Sequence, residues 1–266
     1  MKHLIIIIVT IFVLASCQKE INIDLNAAAP QLIVEANLTN FRGPYAVKLS
    51  RTVNFDAANV FPAVTGATVV FTDNFGNSEQ LVEITSGIYR TVKYQGMPGR
   101  TYKLSIASDG KSYEAFSTMP DLVDIYSLSV SQEKTNLRNP NKMSFQVTAS
   151  ILDPEGITNY YRYVQYYKGV SYGSSLVFSD KYRDGKYISY DLRMGDTVIL
   201  KQGDPIIVEL QNIDKASFDF YRTLREGAGG LGFLSTSPSN PISNLSNGAL
   251  GYFSAYSISR AILAVP

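Results

Sequence analysis

The side chains that most often do covalent or metal chemistry are nearly absent from this chain, and both examples sit at its start. The only histidine is His3 and the only cysteine is Cys17. Beyond residue 17 there is no imidazole to act as a base and no thiol to act as a nucleophile. That excludes Ser-His-Asp and Cys-His sites and zinc sites built from His and Cys. No Gly-x-x-x-x-Gly-Lys-Ser/Thr loop occurs, and the run Gly227-Ala228-Gly229-Gly230-Leu231-Gly232 follows a predicted helix. A dinucleotide fingerprint follows a strand, so the phosphate-cradling geometry is missing. Two chemistries survive. Any pair among the 23 acidic residues could cleave a glycoside, and a Ser-Lys pair could acylate, although no Ser-x-x-Lys stands inside a supporting motif. Asp73-Asn74-Phe75-Gly76-Asn77 groups oxygen side chains around a glycine but lacks the alternating spacing and distal glutamate of an EF-hand, so a hairpin turn is the better reading. The expectation is a protein that is not an enzyme and uses no cofactor or metal, with a carboxylate-dependent glycosidase as the lesser alternative.

Cys17 has a different chemistry open to it. Lys2 precedes an apolar run from Leu4 to Ala15, interrupted only by Thr10, which ends in Leu14-Ala15-Ser16-Cys17. A dozen apolar residues are too few to span hydrocarbon, which takes roughly 20 in a helix, but they fit the apolar region of a signal peptide. Small residues directly before a cysteine match a lipobox, in which the thiol receives diacylglycerol, and palmitate-type chains follow. Residues 1–16 are thus expected to be a signal peptide, with Cys17 the lipidated first residue of the mature chain. Each buried methylene contributes about 0.8 kcal/mol, so several acyl chains anchor firmly. With its only thiol acylated, the chain can form no disulfide and depends on its core.

Downstream elements must supply that core. Residues 17–30 read as a tether, whose r.m.s. reach as a flexible coil is roughly 20 Å. From Gln31 the apolar period becomes two: Leu32, Val34, Ala36 and Leu38 alternate, then Tyr45, Val47 and Leu49, with Val69, Phe71, Glu79–Ile84, Ile88–Val92, Tyr102–Ile106 and Ser112–Ser117 following between turn signals. Short alternating strands at this spacing predict a β-sandwich over 31–118, immunoglobulin- or fibronectin-like, or else transthyretin-like. Gly99 to Ile106 has the form of a tyrosine-corner approach. Met119-Pro120-Asp121 marks the boundary, and 121–266 reads as a second β-rich domain. Its expected strands are 126–130, 144–152, 160–167, 175–179, 197–200, 206–211 and a closing one over 249–258. One short helix, near 214–226, is capped by Asp214.

Two features of this second half lie outside the ordinary. Residues 227–259 contain no charged side chain, and nine of the 18 tyrosines fall between Tyr160 and Tyr190. A neutral loop of that kind either carries function or folds back over a sheet edge. Tyrosine suits a contact surface but also packs well in strands. Tyr161, Tyr163 and Tyr167 share one face of their strand, Tyr160 and Tyr166 the other. With Lys2 removed the charges balance, 23 basic against 23 acidic, and no basic patch stands out, so no nucleic-acid partner is expected.

These pieces resemble the Bacteroidetes lipoproteins grouped as domain of unknown function 4249. The lipobox carries the resemblance, with Leu32-Ile33-Val34-Glu35, Gly66-Ala67-Thr68-Val69, Gly87-Ile88-Tyr89 and Gly96-Met97-Pro98-Gly99-Arg100-Thr101-Tyr102. The most specific part is Ser243-Asn244-Leu245-Ser246-Asn247-Gly248-Ala249-Leu250-Gly251-Tyr252-Phe253. The resemblance implies an outer-membrane lipoprotein without established activity, often encoded beside a TonB-dependent β-barrel transporter. It transfers no catalytic residue. It makes a non-catalytic accessory role in nutrient capture the leading expectation, ahead of a structural or adhesive envelope protein. A small molecule, glycan or peptide ligand stays open, as does the exposed face of the membrane.

Overall fold

The computed structural model describes residues 29–54, 60–134, 143–192, 200–227 and 239–266. Cys17, the signal segment and nearly all of the tether lie outside these, as do 228–238 of the charge-free segment and 197–199 of one expected strand. Among the described residues no helix is long and apolar enough to cross a membrane.

The alternation read from the sequence becomes two stacked sheets in the first half. The strands are β1 (Leu32–Thr39), β2 (Ala46–Arg51), β3 (Thr68–Asp73), β4 (Ser78–Gln80), β5 (Val82–Thr85), β6 (Ile88–Arg90), β7 (Thr101–Ser108) and β8 (Lys111–Thr118). In space, β1-β2-β6-β5 lie side by side, facing β4-β3-β7-β8. Lettered in chain order these are A-B-E-D against C′-C-F-G, an immunoglobulin-type arrangement, which decides between the sandwiches that the sequence left open. Leu32, Val34, Ala36 and Leu38 of β1 meet Phe71, Leu104 and Ile106 across the core, all at most 1% exposed. Full burial of each such side chain contributes about 1.5–3 kcal/mol. The expected strand 79–84 is instead two short ones. Leu81, 4% exposed, anchors the crossing from one sheet to the other between them.

The tyrosine corner is present. Tyr102 is fully buried; its hydroxyl accepts from Met97 N at 2.6 Å and donates to Met97 O at 3.0 Å. One hydroxyl thus satisfies both polar groups of a residue that no strand pairs.

The second half repeats the plan. Its elements are β9 (Ile125–Lys134), β10 (Met143–Leu152), β11 (Tyr160–Tyr167), β12 (Val170–Ser179), β13 (Tyr187–Leu192), β14 (Pro205–Ile213), α1 (Lys215–Gly227) and β15 (Leu250–Ala264). The sheet β9-β10-β13 faces β12-β11-β14-β15. That is A-B-E against C′-C-F-G, the fibronectin-type order, a finer result than the unspecified β-rich domain expected. β13 is absent from the expected strands, although buried Ile188 and Leu192 alternate with exposed Tyr187, Ser189 and Asp191. The helix starts where the cap was placed: Asp214 Oδ1 accepts Ser217 N at 2.8 Å. Its other oxygen accepts Ser117 Oγ at 2.7 Å and Thr118 N at 3.1 Å, joining the helix start to the first sandwich.

β15 is longer than the predicted closing strand and serves both halves. Residues 250–256 pair in parallel with β1, and 257–264 pair antiparallel with β14. One eight-stranded sheet, β12-β11-β14-β15-β1-β2-β6-β5, therefore runs through both sandwiches. Gly251 makes this approach feasible: at φ 93° its Cα lies so near β1 that a Cβ would fall 2.0 Å from Val34 O. Where one of the two neighbour strands is missing, side-chain amides take its place. Asn244 donates to Phe253 O at 2.7 Å and accepts Phe253 N at 3.0 Å, and Asn40 accepts Ile258 N at 2.8 Å.

Candidate functional site

The hairpin β11–β12 carries the first candidate. At its open end the 153–158 turn leads into Tyr160, and the chain leaves Ser179 into the 180–186 turn. Three aspartates brace these turns. Asp153 Oδ1 accepts Tyr161 Oη at 2.5 Å and its Oδ2 accepts Gly185 N at 3.1 Å. Asp180 accepts Asn159 N at 2.8 Å, and Asp184 accepts Gly156 N through both oxygens, at 2.9 and 3.1 Å.

Those carboxylates lie within 4.8 Å of one another, and Asp153 and Asp180 are buried. Burial, the largest cause, pushes the Asp153 carboxyl above its usual value, Tyr161 and Gly185 pull it back, and the charges of Asp180 and Asp184 push it up again. Burial and Asp153 together push the Tyr161 phenol up. Calcium takes six to eight oxygens. Three side chains already engaged with loop amides and a phenol account for the cluster as a turn brace.

Between the turns and the start of α1 opens a cleft of about 550 Å³, within the range of small-ligand sites. Tyr160 and Phe218 form part of its wall, their rings 4.9 Å apart. Thr158, Ser179, Asp180 and Asp184 contribute oxygens, while Lys181 and Lys215 contribute ammonium groups. Lys215 is ion-paired with Asp219. Tyr182 is the anomaly at this cleft. It is 86% exposed and holds φ 70°, a left-handed conformation that glycine and asparagine adopt readily and bulky side chains do not. Lys181 Nζ lies 5.1 Å from its ring centre.

A second polar group of residues lies on the same face of the eight-stranded sheet as Tyr160 and α1. Arg162 donates to Gln211 Oε1 at 2.9 Å, Gln211 donates to Glu209 Oε1 at 2.6 Å, and Arg260 Nε donates to Glu209 Oε2 at 2.8 Å. The Arg162 guanidinium also covers the Tyr221 ring at 4.2 Å. Glu209 and Gln211 are each 2% exposed. A buried acid held on both oxygens ties three strands together and leaves neither oxygen for a reacting group.

The sequence singled out the tyrosine cluster and the charge-free segment, and the structure separates their members. Tyr161, Tyr163 and Tyr167 are core residues between the sheets, so they offer no contact surface. Tyr160 packs beneath α1. Tyr182 and Tyr187 are exposed, and Tyr187 pairs edge-on with Tyr126 at 4.9 Å, away from the cleft. Residues 245–247 of the charge-free segment lie along β8. Leu245 bridges Ala115, Glu114 N donates to Ser246 Oγ at 2.8 Å, and Asn247 donates to Ser112 O at 2.6 Å. Its polar, uncharged side chains cover a strand edge that would otherwise stand unpaired. Asp73 likewise uses its carboxylate on its own hairpin, accepting Phe75 N at 3.0 Å, Asn77 N at 2.9 Å and Arg100 Nη1 at 2.7 Å. Sequence reasoning did not find the cleft, because its walls come from turns separated by up to sixty residues. The one available signal was a tyrosine inside the turn-forming Ser179-Asp180-Lys181-Tyr182-Arg183-Asp184-Gly185.

Comparison with known proteins gives three results. No curated protein matches this chain. Among solved structures, a two-domain fibronectin type III segment from chicken tenascin is 12% identical, with 89% of this chain and 100% of that one covered, at a TM-score of 0.24. So low a score adds nothing to the strand orders, on which the fold assignment rests. The family model described as domain of unknown function (DUF4249) matches residues 18–262. That match spans nearly the whole chain beyond Cys17, and the protein belongs to the family of domain of unknown function 4249.

Proposed function

We propose that this protein is a lipid-anchored, non-catalytic binding component of the outer membrane, accessory to a TonB-dependent β-barrel transporter. The observation that carries the reading is the cleft at the β11–β12 end, about 550 Å³ in volume. Beside it an exposed tyrosine holds a costly backbone conformation that no core contact explains. Strain of this kind costs about 1–3 kcal/mol and clusters at ligand contacts. The chain beyond residue 17 has neither histidine nor cysteine, which supports binding over nucleophilic chemistry. The family match begins directly after Cys17, in keeping with a mature chain that starts there. The transporter association follows from the family resemblance.

The test uses the full chain with a C-terminal tag, expressed in its own cells. Labelled palmitate should enter the wild type and not Cys17→Ser, and the wild type should co-purify from solubilised outer membranes with a β-barrel protein in stoichiometric amount. Equal labelling of both chains removes the anchor, and the absence of a β-barrel partner removes the accessory role.

A further inference from the structure

We infer that the cleft takes a neutral saccharide, with Tyr182 as the stacking platform; this deepens the binding role proposed above and rests on it. The turn from Asp180 to Lys186 needs a residue near φ 70° at position 182, and asparagine or glycine would meet that need without strain. A tyrosine there leaves 86% of its surface in water and contributes nothing to the core. Its presence is explained by something that covers the ring.

The remaining walls narrow the class. Asp180 and Asp184 line the cleft together with Lys181 and Lys215, so a ligand of either charge meets like charge. A purely apolar ligand would strip water from the exposed Lys181, Asp184 and Lys215 and return no hydrogen bond, at a cost of kilocalories per group. A pyranose meets all of the constraints. Its C–H face covers an aromatic ring, and its hydroxyls donate to carboxylates while accepting from ammonium groups. Thr158 and Ser179 add hydroxyls on the same wall. Recognition by a few placed polar groups beside aromatic surface is the usual form of such sites.

Full-length protein in an amine-oxide detergent, which carries no sugar headgroup, is titrated with neutral hexasaccharides of glucose (α-1,4 and β-1,4), xylose, mannose and N-acetylglucosamine, with hexagalacturonate as the anionic control. The chain has no tryptophan, so tyrosine fluorescence reports binding. At least one neutral member should bind saturably. Tyr182→Asn, which suits the left-handed position and should not lower the melting temperature, should weaken it tenfold or more. Tyr187→Ala, outside the cleft, should leave it unchanged. The inference is overturned if no neutral member binds, if hexagalacturonate binds more tightly, or if Tyr182→Asn binds as well as the wild type. The same preparation is assayed for the co-purifying β-barrel. Retention of that partner without sugar binding sinks only the saccharide, whereas loss of the partner sinks the accessory role.

Discussion

Replacing Gly251 by alanine puts a methyl group 2.0 Å from Val34 O, 2.9 Å from Val34 C and 3.0 Å from Val34 N. All three are backbone atoms of the facing strand, so no side chain can rotate away to make room. Two costs follow. A Cβ at φ 93° meets the left-handed penalty of about 1–2 kcal/mol, and forcing apart packed backbones adds about 1–3 kcal/mol. The expected loss is therefore about 2–5 kcal/mol, a large share of the ~5–15 kcal/mol that holds an ordinary domain. Gly76 is the control. It sits at φ 84° in the β3–β4 turn, and its added Cβ would meet nothing within 4 Å, so Gly76→Ala should cost only the conformational part, about 1–2 kcal/mol. Urea unfolding of both variants, followed by far-UV and near-UV circular dichroism, separates the two costs. Because β15 is shared, Gly251→Ala should unfold both sandwiches in one transition, with the far-UV and near-UV curves coincident. Equal losses in the two variants would refute the close approach of β15 to β1, and two separate transitions would refute the shared sheet.

Two other stability predictions follow from single polar groups. Tyr102→Phe leaves Met97 N and O without their hydroxyl partner. It should cost about 1–3 kcal/mol and lower the melting temperature by about 2–4 °C per kcal/mol, while an unchanged melting temperature would show that water replaces the hydroxyl freely. Burial alone would push the Asp73 carboxyl up, but donors from Asn77, Arg100 and Phe75 outweigh it and hold it below its usual value. Its stabilisation is then complete above the unfolded carboxylate value, about 3.9, and is lost as pH falls through the lower folded value. Asp73→Ala should destabilise by about 3 kcal/mol at neutral pH and flatten the acid limb of the stability curve; a parallel acid limb would contradict the assignment.

Local pattern carried most of the strand positions and little of their partnership. β1 was legible because one of its faces is wholly buried, which imposes strict alternation on Leu32, Val34, Ala36 and Leu38. The tyrosine corner was legible because its spacing is fixed by one turn. β13 was overlooked because its outward residues include Tyr187, which obscures the period of two in a six-residue strand. β15 was truncated because its burial changes character part of the way along. From Phe253 to Ile258 both faces are covered, and beyond that burial alternates. No local signal says that a strand passes from one sandwich to another, since that depends on β1 and β14 lying on opposite edges. The cleft was hidden for the same reason. Tyr160, Tyr182 and Lys215 are near one another only because β11, β12 and α1 stack as they do.

The segment that marked the chain most strongly as a family member, residues 243–253, forms the seam of the molecule. Asn244 clamps Phe253 on both backbone groups, and Ser246 and Asn247 fasten the segment to β8. Gly251 admits β15 to within backbone contact of Val34. Tyr252 Oη accepts Asn37 Nδ2 at 3.2 Å across that pairing, and the Phe253 ring stacks on Phe71 at 5.4 Å in the first core. The contacts of Gly251, Tyr252 and the Phe253 ring join β15 to the first sandwich, while the other half of the same strand belongs to the second. Tandem β-sandwiches usually meet through small, polar interfaces that allow relative motion. Here a continuous backbone ladder crosses the junction, so bending one sandwich against the other would require breaking main-chain hydrogen bonds. From Leu250, level with the start of β1, to Ser257, level with the end of β14, is about 23 Å at 3.3 Å per residue. The ladder fixes that offset between the point where the chain enters β1 and the cleft end of β11. The position of Tyr182 relative to the start of β1 is thereby set by the sheet itself, not by a hinge.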